Sequence, residues 1–165
     1  MDPKGKVVVV TGATSGLGRA FAIDAARAGA KVFIIGRDAA RANETLALAR
    51  TDGGDADVVV GDVSTREGVK AVAASVLAKT SRVDVLVNNA GGSFKTESKT
   101  SDAIDSTFAV NTLGPFLLER ELSRRWRSCS RGRSSGRAGW PARSKRPCAA
   151  SGWRVSEMSP AARMW

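Results

Sequence analysis

An α/β doubly wound parallel sheet is what this 165-residue sequence predicts, on three observations. Short β-branched runs alternate with longer Ala- and Leu-rich stretches, in the order βαβαβαβα. A glycine-rich turn joins the first run to the first stretch. The pattern then stops after residue 122, so the predicted sheet is truncated after its fourth strand and fourth helix.

Lys6 to Thr11 reads KVVVVT. Four successive valines predict a strand buried on both faces, as in a parallel sheet. Gly12 to Gly18 is the turn. Arg19 to Ala28 carries Ala20, Phe21, Ile23, Ala25 and Ala28 at helical spacing, and Gly29 suits the C-cap. Lys31 to Gly36 (KVFIIG) is the second strand, and Ala39 to Arg50, free of Gly and Pro, the second helix. Asp57 to Val60 is the third strand. Ser64 and Glu67 stand three apart ahead of Val69, Val72, Val76 and Leu77, which predicts a capping box that opens the third helix. Asp84 to Asn88 (DVLVN) is the fourth strand. Ser101 to Leu118 is the fourth helix, with Ile104, Phe108, Asn111 and Pro115 spaced to share a face.

Charge divides the chain at the same place. Residues 1–122 hold 15 basic and 15 acidic residues, whereas residues 123–165 hold 11 basic residues and only Glu157 as an acid, so the tail supplies the whole net charge of +10. All four Trp and both Cys lie in the tail, and Val155 is its one residue among Leu, Ile, Val and Phe. Two organisational units are expected: 1–122, an incomplete Rossmann-like α/β domain, and 123–165, a basic Arg/Ser/Trp-rich tail.

Composition excludes several chemistries. With no His there is no Ser-His-Asp triad, no His-assisted thiol and no His metal ligand. Two cysteines make neither a disulfide framework nor a zinc site, so no metal is expected. No apolar run approaches the roughly 18 residues of a membrane span. The start Met1-Asp2-Pro3-Lys4 is too short and too acidic to head a signal peptide before the first strand. A reducing, cytoplasmic location is the default expectation.

The turn Thr11-Gly12-Ala13-Thr14-Ser15-Gly16-Leu17-Gly18 sits between a strand and a helix. Glycines there permit a sharp turn, close approach of backbone N–H groups to a pyrophosphate, and tight helix–strand packing. The helix N-terminus adds a positive partial charge. A simple tight loop is the bland alternative. A second strand after the helix makes this a Rossmann-like dinucleotide site, with Gly12, Thr14, Ser15, Gly16, Leu17 and Gly18 as candidate cofactor contacts.

Four motifs in order, Thr11-Gly-x-x-x-Gly-x-Gly, Gly61-Asp62-Val63, Asn88-Asn89-Ala90-Gly91 and Asn111, resemble the short-chain dehydrogenase/reductases of the classical type. The resemblance covers residues 6–118. It implies hydride transfer between a nicotinamide cofactor and a carbonyl or alcohol carbon of a small molecule. Asp62 and Val63 would hold the adenine, or Asp62 would instead cap the following helix. Asn89, Ala90 and Gly91 would lie by the adenosine ribose, or form only a strand-end turn. Arg37 follows the second strand. An acid there would bond the ribose hydroxyls of NAD, and an Arg accommodates the 2′-phosphate of NADP. NADP is therefore favoured over NAD. A solvated Arg37, or one paired with Asp38, is the alternative. Asn111 is expected to face the sheet; the resemblance implies that it holds a water in the catalytic proton relay, the alternative being a structural amide bonded to backbone.

The rest of that family's chemistry is missing. It needs a Tyr hydroxyl to move the proton, a Lys four residues later, and an upstream Ser to polarise the substrate oxygen. The chain contains no Tyr, and the one Lys after residue 99, Lys145, has Pro141 four residues before it. Ser134-Ser135 lies at a suitable distance from Asn111, but no apolar strand precedes it. The tail reads as an out-of-frame translation of GC-rich coding DNA; a basic disordered tail able to bind nucleic acid is the rival. An inactive oxidoreductase half is thus expected, and a non-catalytic NADP(H)-binding protein with a partner-binding tail is the alternative.

Overall fold

The computed structural model describes residues 2–123 apart from Asp52 and Lys95. Strands β1 (Val7–Thr11), β2 (Lys31–Gly36), β3 (Asp55–Val60) and β4 (Val85–Val87) form one parallel sheet in the order β3-β2-β1-β4. Helices α1 (Gly16–Arg27), α2 (Ala39–Arg50) and α3 (Arg66–Lys79) are the crossovers. After β4 come a short helix α4 (Ser106–Phe108), a π-helical segment (Ala109–Leu113) and α5 (Gly114–Leu122).

Alternation along the strands builds two cores. Val7, Val9, Phe33, Ile35 and Val59 pack with Val69, Val72 and Val76 of α3 and with Leu118 and Leu122 of α5. Val8, Val10, Val32 and Ile34 face the other way, against alanines of α1 and α2. The valine run of β1 is buried throughout because both faces are covered. Small Ala22, Ala25, Ala26, Ala42 and Ala49 let α1 and α2 lie close to the sheet and to each other.

Two elements depart from the sequence expectation. The third helix opens one residue later than the Ser64 capping box requires. Asp62 Oδ1 takes the Ser64 N–H (2.9 Å), turning the chain so that Thr65 becomes the N-cap and accepts from Gly68 N at 3.1 Å. The Arg66 N–H is taken across the fold by Asp102 Oδ2 at 2.8 Å. The fourth helix does not begin at Ser101. Ala103 has φ 59°, which a helix cannot contain, and Lys99 and Asp105 pair in an antiparallel bridge. Asp105 then caps α4 by accepting from Phe108 N at 2.8 Å. Ile104 is therefore outside the helix, and Phe108 is half exposed. The expected buried face of Ile104, Phe108 and Asn111 does not form.

Smaller shifts follow hydrogen bonding. β3 starts at Asp55 rather than Asp57, in register with Lys31 of β2. β4 is only three residues long, because Asp84 turns its carboxylate onto Val7 N (2.8 Å) and Arg82 Nε (3.1 Å). The basic tail, its Trp residues and Ser134-Ser135 lie outside the described residues.

Candidate functional site

The strand order reverses between β1 and β4: the chain runs outward from β1 to β3, then crosses back to place β4 on the other side. In open parallel sheets the carboxyl ends of the strands at such a reversal leave a crevice. A cleft of about 340 Å³ opens there. Segments following all four strands line it: Gly12, Thr14 and Ser15 after β1; Arg37, Asp38 and Arg41 after β2; Gly61, Asp62 and Val63 after β3; Asn89, Ala90 and Gly91 after β4. Val110 of the π segment closes one side.

Thr11, at the end of β1, holds two of these segments together. It is 2% exposed. Its hydroxyl donates to Val87 O (3.3 Å) and accepts from Asn89 N (3.1 Å) and Ala90 N (3.0 Å). Asn89 returns the contact: its Nδ2 donates to Thr11 O (3.1 Å) and Gly12 O (3.2 Å). The glycines fit this closeness. Gly12 has φ 64°, and a Cβ there would stand 2.8 Å from Ala90 Cα. A Cβ on Gly18 would collide with the Asn89 amide and Gly12 O. Both positions thus need glycine for the β1–α1 turn to lie against the β4 loop.

Three helix N-termini near the sheet carry side-chain caps: Asp38 on α2, Thr65 on α3 and Asp105 on α4. α1 differs. Its N-cap Ser15 is extended (φ −158°, ψ 167°), and its side chain caps nothing. The first-turn N–H groups of α1 therefore have no side-chain acceptor, at a helix start whose Thr14 and Ser15 line the cleft. Such a terminus suits an anion.

After β2, Asp38 does not pair with Arg37. Its Oδ1 accepts from Arg41 N (3.1 Å) and its Oδ2 lies 3.5 Å from Arg41 Nε. Arg37 is exposed and forms no ion pair among the described residues. Arg41 was not legible as a site residue from the motifs. Its one signal is its place a helical turn after Arg37, behind an Asp that suits an N-cap. Asp62 is half-buried; it orders its own loop through Ser64 N and does not cap α3.

Of the residues singled out from sequence, Gly12, Thr14, Ser15, Arg37, Asp62, Val63, Asn89, Ala90 and Gly91 meet in the cleft. Gly16, Leu17, Gly18 and Asn111 are not among its lining. Leu17 is 47% exposed and Gly18 is buried beneath the loop. Asn111 corrects an expectation: it does not face the sheet. It is exposed, on the π segment, and its amide brackets Gly92, accepting from Gly92 N (3.0 Å) and donating to Gly92 O (2.7 Å). Both contacts are to backbone, and they tie the β4 loop to the π segment.

A family model described as short chain dehydrogenase matches residues 6–137. The chain belongs to the short-chain dehydrogenase family. The match runs past residue 118, where the legible motifs of the family end. Among its short-chain dehydrogenase relatives, retinol dehydrogenase 12 of Mus musculus is 40% identical over 116 residues, covering 69% of this chain and 37% of that protein. Among solved structures, a metagenomic short-chain oxidoreductase in complex with NADP superposes with TM-score 0.66 at 34% identity, covering 74% of this chain and 57% of that one. A RhlG/NADP active-site complex from Pseudomonas aeruginosa gives 0.65 at 30%, covering 74% and 48%. The chain spans less than half the length of the curated relatives it matches. Family members bind NAD(P), and the uncapped α1 terminus, the two arginines and the half-buried Asp62 are a donor and acceptor set that fits such a dinucleotide. Among the described residues no group of His, Cys, Asp and Glu could hold a metal, and no helix is long and apolar enough to cross a membrane.

Proposed function

We propose that the cleft holds the adenosine half of NADP(H), and that the chain is the cofactor-binding half of an oxidoreductase acting between a small carbonyl and the corresponding alcohol. The observation that carries this reading is the meeting of Arg37, Asp62, Asn89 and the uncapped start of α1 around one cleft at the strand reversal. Bound NADPH would supply the hydride. The chain's own residues do the rest. The α1 N–H groups take the pyrophosphate, with Gly16, Leu17 and Gly18 shaping that turn. Arg37 takes the 2′-phosphate, Asp62 accepts from the adenine amine beside Val63, and Asn89, Ala90 and Gly91 flank the ribose. Asn111 acts through Gly92, by fixing the loop next to Gly91.

Proton transfer to the developing alkoxide needs a donor in place, and no Tyr occurs in the sequence. The 165-residue chain is therefore proposed to bind NADPH without turning it over. The same absence favours a second reading, a non-catalytic NADP(H)-binding protein whose basic residues 123–165 engage a partner or nucleic acid. A cytoplasmic setting accords with either reading. NADPH fluorescence tests the first step and its consumption with a panel of ketones and aldehydes tests the second. Expected are a saturable emission change and no oxidation above a protein-free control. Measurable turnover would overturn the inactivity, and absence of a saturable signal would overturn the cofactor site.

A further inference from the structure

Three backbone N–H groups in and just after the cleft wall that follows β3 are bonded to side chains, and not all locally. Ser64 N donates to Asp62 Oδ1 (2.9 Å) and Gly68 N to Thr65 Oγ1 (3.1 Å). Arg66 N, the first of α3, donates instead to Asp102 Oδ2 at 2.8 Å, 36 residues away. Asp102 is half-buried, in the turn of a small hairpin between β4 and α4. The Lys99–Asp105 bridge closes that hairpin, with Ser106 N donating to Ser98 O (2.8 Å) and Thr100 N to Ile104 O (2.9 Å). Its far end is Asp105, the N-cap of α4, which leads into the π segment where Val110 lines the cleft. The wall meets the end of that segment a second time: Val63 is buried, and a Cβ on Gly114 would collide with its carbonyl oxygen. Local bonds thus shape the wall, while Asp102 fixes it to the element that closes another side of the cleft.

We infer that Asp102 is a positioning residue for the adenine end of the cleft, which acts through Arg66 N to set where Asp62 and Val63 stand. The inference rests on the adenine contact proposed for Asp62. A carboxylate tells the adenine amine from an oxygen at the same place only when it is held at hydrogen-bond distance and angle. The Arg66–Asp102 bond is solvent-exposed, so its loss should move stability little and base recognition more. Arg66 allows the same bond to be removed from its other side. Proline is favoured at the first position of a helix, where the N–H has no partner within the helix. The preceding Thr65 is already extended (φ −122°, ψ 152°), as a residue before proline prefers. Arg66→Pro therefore deletes the donor and keeps the helix start.

Calorimetric titration of the full chain with NADP+, NAD+ and the hypoxanthine analogue of NADP+, which carries an oxygen in place of the adenine amine, tests this. The unmodified chain is expected to prefer NADP+ over the analogue by about 3- to 10-fold. Asp102→Ala and Arg66→Pro should each reduce that ratio below about twofold, and the double variant should lose no more than either alone. Asp102→Asn, whose amide oxygen can accept, should restore most of it, and Arg66→Ala, which keeps the N–H, should leave it unchanged. The ratio of NADP+ to NAD+ should stay within about twofold in every variant, because the 2′-phosphate lies at the β2 side. Equal weakening of all three ligands in Asp102→Ala, with base preference intact, would assign Asp102 a merely structural role and overturn the inference. So would an Arg66→Pro chain that keeps its base preference. An unmodified chain that binds NADP+ and the analogue equally would overturn the inference together with the adenine contact of Asp62, and leave the cofactor cleft standing. Binding of none of the three would overturn the cofactor reading as well.

Discussion

Thr11 joins the ends of β1 and β4 through a single hydroxyl, and its loss should be felt in both stability and binding. Thr11→Val keeps the shape but leaves the Asn89 and Ala90 N–H groups without their acceptor. Both hydrogen bonds are part-buried, so their loss should cost about 1 kcal/mol, toward the low end of the roughly 1–3 kcal/mol of a fully buried unsatisfied donor. The unfolding free energy from urea titration is expected to fall by an amount of that order, and NADPH affinity with it, because the loop bearing Asn89, Ala90 and Gly91 loses its anchor. Thr11→Ser should restore most of both; an unchanged midpoint in Thr11→Val would contradict the role. At this scale the sequence was legible wherever a motif tied residues to backbone geometry. Gly12, Asp62 and Asn89 reach the cleft for that reason. Arg41 escaped notice because an exposed Arg on a helix is ordinarily a solvated side chain, and only its place on the cleft wall sets it apart. The orientation of Asn111 was misjudged because helical spacing was extended through Ile104, which is not helical.

Helix starts depend on which side chain wins a local competition for N–H groups. At α3 the pattern Ser64-x-x-Glu67 offered a capping box, but Asp62 captures the Ser64 N–H and hands the cap to Thr65. Replacing Thr65 by Ala should therefore cost about 1 kcal/mol, and Ser64 by Ala less than about 0.5 kcal/mol. Thermal or urea unfolding of the two variants distinguishes the caps; the reverse order would restore the Ser64 assignment. The same contest hid the true start of α4. Asp105 caps it, and Ala103 in the left-handed region ends any helix before it. The existence of the four strands was legible because β-branched runs bounded by glycine have few alternatives. Strand ends were not, because they depend on cross-chain contacts such as Asp84 to Val7 N, 77 residues apart.

For the molecule as a whole, the alternation of elements was enough to anticipate a parallel sheet built from right-handed crossovers. The sheet ends at β4, whose outer edge pairs with no strand among the described residues. Unpaired N–H and C=O groups beside Val85, Leu86 and Val87 are a template for a second copy. A net charge of +10 opposes that approach. Salt shortens the Debye length from about 10 Å at 0.1 M to about 3 Å at 1 M, so self-association should rise with salt. Sedimentation velocity at low and high salt reads this directly, and a monomer throughout would show that the edge is covered. The turn after each strand converges on one cleft, proposed above as a dinucleotide site biased toward NADP. This central reading is tested most directly by titrating NADP+ and NAD+ side by side into the full chain and into Arg37→Asp. A preference of about tenfold or more for NADP+ is expected in the unmodified chain, abolished in Arg37→Asp. Equal affinities in the unmodified chain, or a preference that survives the substitution, would contradict it.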